Sequence, residues 1–346
     1  MESRKKNELS AASVFLMLLV IFIHLSAECV NGYLKESAAF ALMASLNRLA
    51  SFAVQGFIFL SGLKLFLKRN EPFSYKTFAL SRLRRVILPY LVAFCVFYAV
   101  YASLSRISPS VPHFFGELFT AGLATHFYFI AVIVQFYLLM PLWRLLGRRA
   151  SPLLLCFVSF TLTSVLALHL PELVQLVSGK WIDFNSRLFT SYLFYFVCGM
   201  AAGSRYDEFL AFLKRRRIGL GVLWGLSAAA DCALFILIRR DFYYPVWADE
   251  WHILTSALAI LFLISLCAAA GNGRLLRSPL LSRTDGASYL VYLWHPLIIL
   301  CVDLRLNNLG VVSLTLRFLI RAAVALPLSI ALCVGWQALV KRIRKS

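Results

Sequence analysis

Charge is scarce in this sequence, and acidic charge is scarcest. Asp, Glu, Lys and Arg make up 15% of the 346 residues, with 16 acidic against 35 Lys and Arg. A soluble domain carries roughly 25% charged residues, and a water-facing surface cannot be built from so few. Apolar residues reach 61%, so a disordered chain is excluded as well as a soluble enzyme. The eight cysteines stand singly, nearly all inside apolar runs, with no Cys-x-x-Cys and no Cys/His cluster. That spacing offers neither a zinc site nor a disulfide framework, and it leaves the cysteines as small buried hydrophobes. No metal is expected. There is no long polar linker, no soluble domain and no internal repeat, and the last counts against an inverted-repeat transporter. What remains is an all-α, polytopic membrane helix bundle, read as a single domain over residues 1–346.

A membrane helix needs about 20 predominantly apolar residues. Ten segments meet that length, at roughly 9–30, 46–67, 86–105, 126–146, 150–170, 187–204, 218–238, 252–270, 286–304 and 311–340. The first follows Met-Glu-Ser-Arg-Lys-Lys, which looks like the start of a signal peptide. No A-x-A site comes immediately after it, and it is read as a retained first helix.

The net charge is +19. With the N-terminus placed in the cytoplasm, about 25 of the 35 basic residues fall on the cytoplasmic side of ten spans, the asymmetry that sets orientation. Both termini are therefore expected in the cytoplasm and the protein in a cell membrane. Part of the excess has a second reading, as a site for phospholipid or for a phosphorylated cofactor. Nucleic acid is not an expected partner, because the basic residues sit in short loops between apolar spans.

Ionisable groups at membrane depth cost on the order of 2.5–3.5 kcal/mol each on insertion scales, so each needs a reason. His24 lies late in the first span, and Glu28, four residues on, shares its helix face. The carboxylate could orient the imidazole or raise its basicity; the alternative is a structural His–Glu pair. His126 opens the fourth span near the outer interface, where a solvated or aromatic-belt histidine is common. Asp231, Arg317 and Arg321 read as an Asp–Arg tether between two spans. His295 falls near the middle of the ninth span, and His252 lies at a span end without a signal of its own. Arg82, Arg84 and Arg85, followed by Pro89-Tyr90, form a basic cluster able to grip phosphates at a cavity mouth.

Several strings together resemble the integral-membrane acyltransferase 3 family. They are Val20-Ile21-Phe22-Ile23-His24, Val54-Gln55-Gly56-Phe57-Ile58-Phe59-Leu60-Ser61-Gly62 and Ser81-Arg82-Leu83-Arg84-Arg85 through Pro89-Tyr90. Further on come His126-Phe127-Tyr128-Phe129, Tyr195-Phe196-Val197-Cys198-Gly199-Met200 and Ala287-Ser288-Tyr289 through Trp294-His295-Pro296. The resemblance implies a membrane O-acyltransferase that takes an acyl group, usually acetyl, from cytoplasmic acyl-CoA. The acceptor is a hydroxyl of an envelope glycan or lipid-linked sugar. It places His24 at the family's reactive histidine. In the chemistry this calls for, Glu28 supports the imidazolium, Arg82, Arg84 and Arg85 hold the CoA phosphates, and His126 is expected toward substrate. The sequence departs from the pattern at Ser13, eleven residues before His24, where the family usually has Arg, and at Gln55, where Pro is common. A non-enzymatic glycan exporter or flippase is the competing reading.

Overall fold

The computed structural model describes residues 6–67, 71–178, 185–242, 244–245, 247–271, 273–274 and 276–343. Of the basic residues used above to orient the chain, Arg4, Lys5, Lys68, Arg69, Lys180, Arg344 and Lys345 lie outside the described residues. The elements are helices: α1 (Asn7–Gly32), α2 (Ala38–Ala50), α3 (Ala53–Phe66), α4 (Tyr75–Arg82), α5 (Leu88–Ser103), α6 (Val111–Thr120) and α7 (Tyr128–Leu138). They continue with α8 (Met140–Arg149), α9 (Pro152–Ser178), α10 (Leu193–Ser204), α11 (Tyr206–Arg239), α12 (Ala248–Ala270), α13 (Pro279–Asn308) and α14 (Leu314–Ile343). An all-α architecture is what backbone polar groups demand at membrane depth, since a helix satisfies them within one segment.

Helix starts follow local chemistry. Ser37 and Ser278 stand extended before α2 and α13, and their hydroxyls accept the Phe40 and Leu280 amides at 3.1 Å each. Pro279 follows at the first position of α13, where its missing N–H costs nothing. Prolines inside helices leave marks. α9 turns by 54° between Leu166 and His169, at the carbonyl that the Pro171 ring crowds four residues upstream. Ahead of Pro89, residues Leu83–Ile87 form a π-helical turn in which the Leu88 amide reaches Leu83 O. The wider turn takes up the same crowding at Arg85.

Seven helices among the described residues are long and apolar enough to cross a bilayer, or nine if each bent pair counts as one span. Ten were expected from the apolar runs. The run that falls short is 187–204. Its first part forms 3-10 turns, Asn185–Arg187 and Phe189–Tyr192, and α10 itself has 12 residues, about 18 Å at 1.5 Å per residue. Apolar composition alone does not reveal where such a helix begins. Conversely α11, with 34 residues, is about 51 Å long and outruns a hydrocarbon core of about 30 Å. Its early turns can thus carry Lys214, Arg215, Arg216 and Arg217 outside the apolar layer.

The chain divides into two compact units: residues 1–57 with 207–346, and residues 58–206. In the first, Met17, Ile21 and Leu25 of α1 pack with Ala287, Val291 and Ile299 of α13 and with Ala325 and Cys333 of α14. In the second, the core is aromatic. Phe136 of α7 stacks on Phe196 of α10 at 4.2 Å between ring centres, an arrangement worth about 0.5–1.5 kcal/mol beyond its buried area. α3 and α10 cross there at backbone contact, through Gly62, Gly199 and Gly203.

Candidate functional site

The first unit brings two histidines together. The His24 ring, on α1, lies 5.0 Å from the His295 ring of α13, centre to centre, with the planes tilted by 59°. His295 is fully buried. Its Nδ1 donates to Val291 O at 3.0 Å and Tyr292 O at 2.9 Å. The next residue explains the second bond. Pro296 has no N–H, so the Tyr292 carbonyl, four residues back, loses its usual helical donor, and the imidazole of His295 supplies one. Carbonyls only accept, so the proton is on Nδ1, and Nε2 carries the lone pair in the neutral ring. The His-Pro dipeptide thereby fixes a tautomer and aims an acceptor nitrogen. Depth within the span alone gives His295 no role; the proline that follows it does.

Glu28 has other company. Its Oε2 accepts from Arg317 Nε at 3.1 Å and pairs with Arg321, both on α14. Asp303 of α13 completes the group, accepting from Arg317 Nη2 at 3.4 Å and from Arg321 Nε. Arg317 also donates to Asn307 Oδ1 at 2.7 Å and Val311 O at 3.1 Å. Two cations and two carboxylates balance, and they tie α1 to α13 and α14 one helical turn beyond His24. Arg317 and Arg321 therefore do not form the tether with Asp231 that their depth suggested. Asp231 of α11 pairs instead with Arg48 of α2 and His252 of α12. Helical position gives depth in the membrane but not which neighbour a side chain faces.

Ser13, which stands at the family's arginine position, is buried and donates to Leu9 O at 2.9 Å within α1. Ser13 supplies no charge at that position.

The other predicted residues belong to the second unit. Arg82 ends α4, and its guanidinium lies over the Phe78 ring at 4.9 Å and the Tyr137 ring at 5.1 Å. Cation–π contact of this kind holds a cation in place without neutralising it. Arg84 and Arg85, in the π-helical turn, are exposed. His126 is not solvated as an interfacial histidine would be. It sits in the 3-10 turn Thr125–Phe127, 2% exposed, with its ring 4.3 Å from that of Phe127 and 5.3 Å from that of Phe97.

A family model described as Acyltransferase domain, that of acyltransferase 3, matches residues 8–335. The chain belongs to that family. It is thus a membrane protein of acyltransferase type. It is similar to the probable poly-beta-1,6-N-acetyl-D-glucosamine export proteins of Staphylococcus aureus strains MSSA476, MW2 and N315. Each is 24% identical over 303 residues, covering 84% of this chain and 82% of the relative. No solved structure matches.

Proposed function

We propose that this chain is an acyl-CoA-dependent membrane O-acyltransferase of a bacterial cell membrane. It moves an acyl group, acetyl in the simplest case, to a hydroxyl of an envelope glycan or lipid-linked sugar. The observation that supports it most is the His24–His295 pair in a member of an acyltransferase family. A sugar hydroxyl is a poor nucleophile at neutral pH and needs a base at the moment of attack. His24 takes that proton as the hydroxyl adds to the thioester carbonyl, or carries the acyl group itself as acyl-imidazole. His295 positions His24, because its bare Nε2 can accept an N–H from the His24 ring and leave the other His24 nitrogen basic. Glu28, with Arg317, Arg321 and Asp303, fixes the helix on which His24 stands.

For the donor, Arg84 and Arg85 meet the phosphates of CoA, and Arg82 anchors the turn that presents them. The double variant Arg84→Gln/Arg85→Gln should weaken acyl-CoA binding several-fold at low salt and less at high salt, because exposed charges are screened beyond about 10 Å at 0.1 M. Calorimetric titration of the purified protein measures this. Parent-like affinity at both salts would leave the cluster a topological signal only.

The basic quartet Lys214–Arg217 faces the cytoplasm in this reading, together with both termini. Reporter fusions within Lys214–Arg217 and within Tyr244–Asp249 should report opposite sides of the membrane. Equal sidedness would overturn the orientation and the side from which acyl-CoA is drawn.

The second reading is glycan export, the role that the names of the staphylococcal relatives carry. The two are separated by glycan analysis of cells lacking the protein. Loss of ester-linked acyl groups from a glycan that still reaches the surface is the transferase outcome. Retention of the glycan inside the cell is the exporter outcome.

A further inference from the structure

A second cluster in the first unit has the layout of a nucleophile, a base and an orienting acid. Asp231, 3% exposed on α11, accepts from His252 Nδ1 of α12 at 2.9 Å. His252 Nε2 in turn lies 3.1 Å from Ser51 Oγ and 3.4 Å from Ser256 Oγ. Ser51 is the C-terminal cap of α2, in the two-residue break before α3, and is half-buried, whereas Ser256 is 1% exposed. Arg48 holds both oxygens of Asp231, Nε to Oδ2 at 2.8 Å and Nη2 to Oδ1 at 2.9 Å.

A structural tether is already complete in the bidentate Arg48–Asp231 pair, which is neutral and tightly hydrogen-bonded. The imidazole is surplus to that role. Donation from Nδ1 to the carboxylate leaves the neutral ring with its lone pair on Nε2, facing two hydroxyls. The Ser51 hydroxyl has a second acceptor, Arg48 O at 2.6 Å. Rotation about its Cβ–Oγ bond moves the proton between that carbonyl and Nε2 without moving the oxygen. Hydrogen bonds from nucleophile to base and from base to a fixed acid are the geometric signature of covalent acyl transfer.

Ser51 itself does not line a cavity, but its chain neighbours Ala50 and Phe52 line one of about 390 Å³, walled also by Phe15, Leu19, Leu46 and Phe262. Its volume is that of a small-ligand site, roughly 300–1,000 Å³. Every one of its lining side chains is apolar, so what it accepts is a hydrocarbon chain. We propose that Ser51, His252 and Asp231 form a second acyl-transfer centre that takes the acyl group of a membrane-lipid ester.

The steps balance. Ser51 Oγ bonds to the acyl carbon while its proton passes to His252 Nε2, and Ser256 donates to the oxyanion. The ester C–O bond breaks, and the leaving alkoxide takes the proton from Nε2. A second hydroxyl then adds to the acyl-Ser51 carbon and gives its proton to Nε2. Ser51 departs and recovers that proton. One acyl group has moved between two oxygens with no redox change.

The full-length protein in lipid nanodiscs provides the test, with no acyl-CoA present, so the result does not depend on the His24 reading. A fluorophosphonate probe should modify Ser51, located by peptide mass spectrometry. Ser51→Ala should lower release of p-nitrophenol from p-nitrophenyl decanoate by at least about 100-fold, the lower range for a positioned acid–base system, with an unchanged melting temperature. His252→Gln should do the same, and Ser51→Cys should keep part of the activity. Leu46→Trp, which fills the cavity, should lower the ratio of decanoate to acetate ester turnover. Absence of label on Ser51 in folded protein, or parent-like turnover in Ser51→Ala, would overturn the proposal. Because Ser51→Ala removes one hydroxyl from a half-buried site, it decides the matter even if His252→Gln fails to fold.

Discussion

His24→Gln should leave folded protein in the membrane and lower acyl transfer from acyl-CoA by about 10²–10⁴-fold, the range for removal of a positioned general base. Glutamine keeps a polar side chain of similar reach beside His295 but has no nitrogen that accepts a proton at neutral pH. Loss of packing and loss of chemistry are thereby separated. His295→Gln tests the support. It removes the Nδ1–H bonds to Val291 O and Tyr292 O, so the rate should fall less than in His24→Gln, through the turnover number rather than through the KM for acyl-CoA. Glu28→Gln should act through stability, because it leaves Arg317 and Arg321 with the carboxylate of Asp303 alone. Removing one partner of a buried charge group costs about 3–5 kcal/mol, and less here because the Glu28 side chain is 37% exposed. Turnover per folded molecule should then stay within a few-fold of the parent. Full activity in His24→Gln would remove the base and nucleophile roles together.

Apolar runs identified the fold class because the membrane demands long helices whatever their neighbours. They misjudged 187–204, where an apolar string is spent partly on 3-10 turns before α10. At the site, the i, i+4 spacing rightly placed Glu28 one turn from His24, but spacing within one helix says nothing about what a second helix offers. Arg317 and Arg321 arrive from nearly three hundred residues away and claim the carboxylate. Asp231 went to Arg48 and His252 for the same reason. His295 was legible in principle. A histidine directly before an intrahelical proline has a carbonyl three residues back with no amide donor, and a buried imidazole in that place meets it with Nδ1. His252 carried no such local mark, since its partners come from α2, α11 and its own helix, and only the fold assembles them.

Gly199→Val should abolish accumulation of folded protein. α3 and α10 cross with their backbones in contact. A Cβ on Gly199 would lie 2.1 Å from Phe59 O, one on Gly203 2.3 Å from Leu63 O, and one on Gly62 2.3 Å from Phe196 O. Gly199 and Gly203 are four residues apart, the small-xxx-small spacing that lets membrane helices approach closely. Small residues explain why two of the glycines in the quoted strings stand where they do: they are packing positions, not chemistry. Overpacking by a side chain that can rotate away costs about 1–3 kcal/mol. A carbonyl oxygen inside a helix cannot rotate away, so the helices must separate along the crossing. Gly199→Ala should already lower the melting temperature of the detergent-solubilised protein by many degrees. Gly116→Ala, on α6 in the same unit, is the matched control. Nothing lies within 4 Å of a Cβ there, and exchange of glycine for alanine inside a helix should stabilise by about 0.5–1 kcal/mol. If Gly199→Val accumulates to the parent level with the parent melting temperature, the close crossing of α3 and α10 is not how this unit is held together.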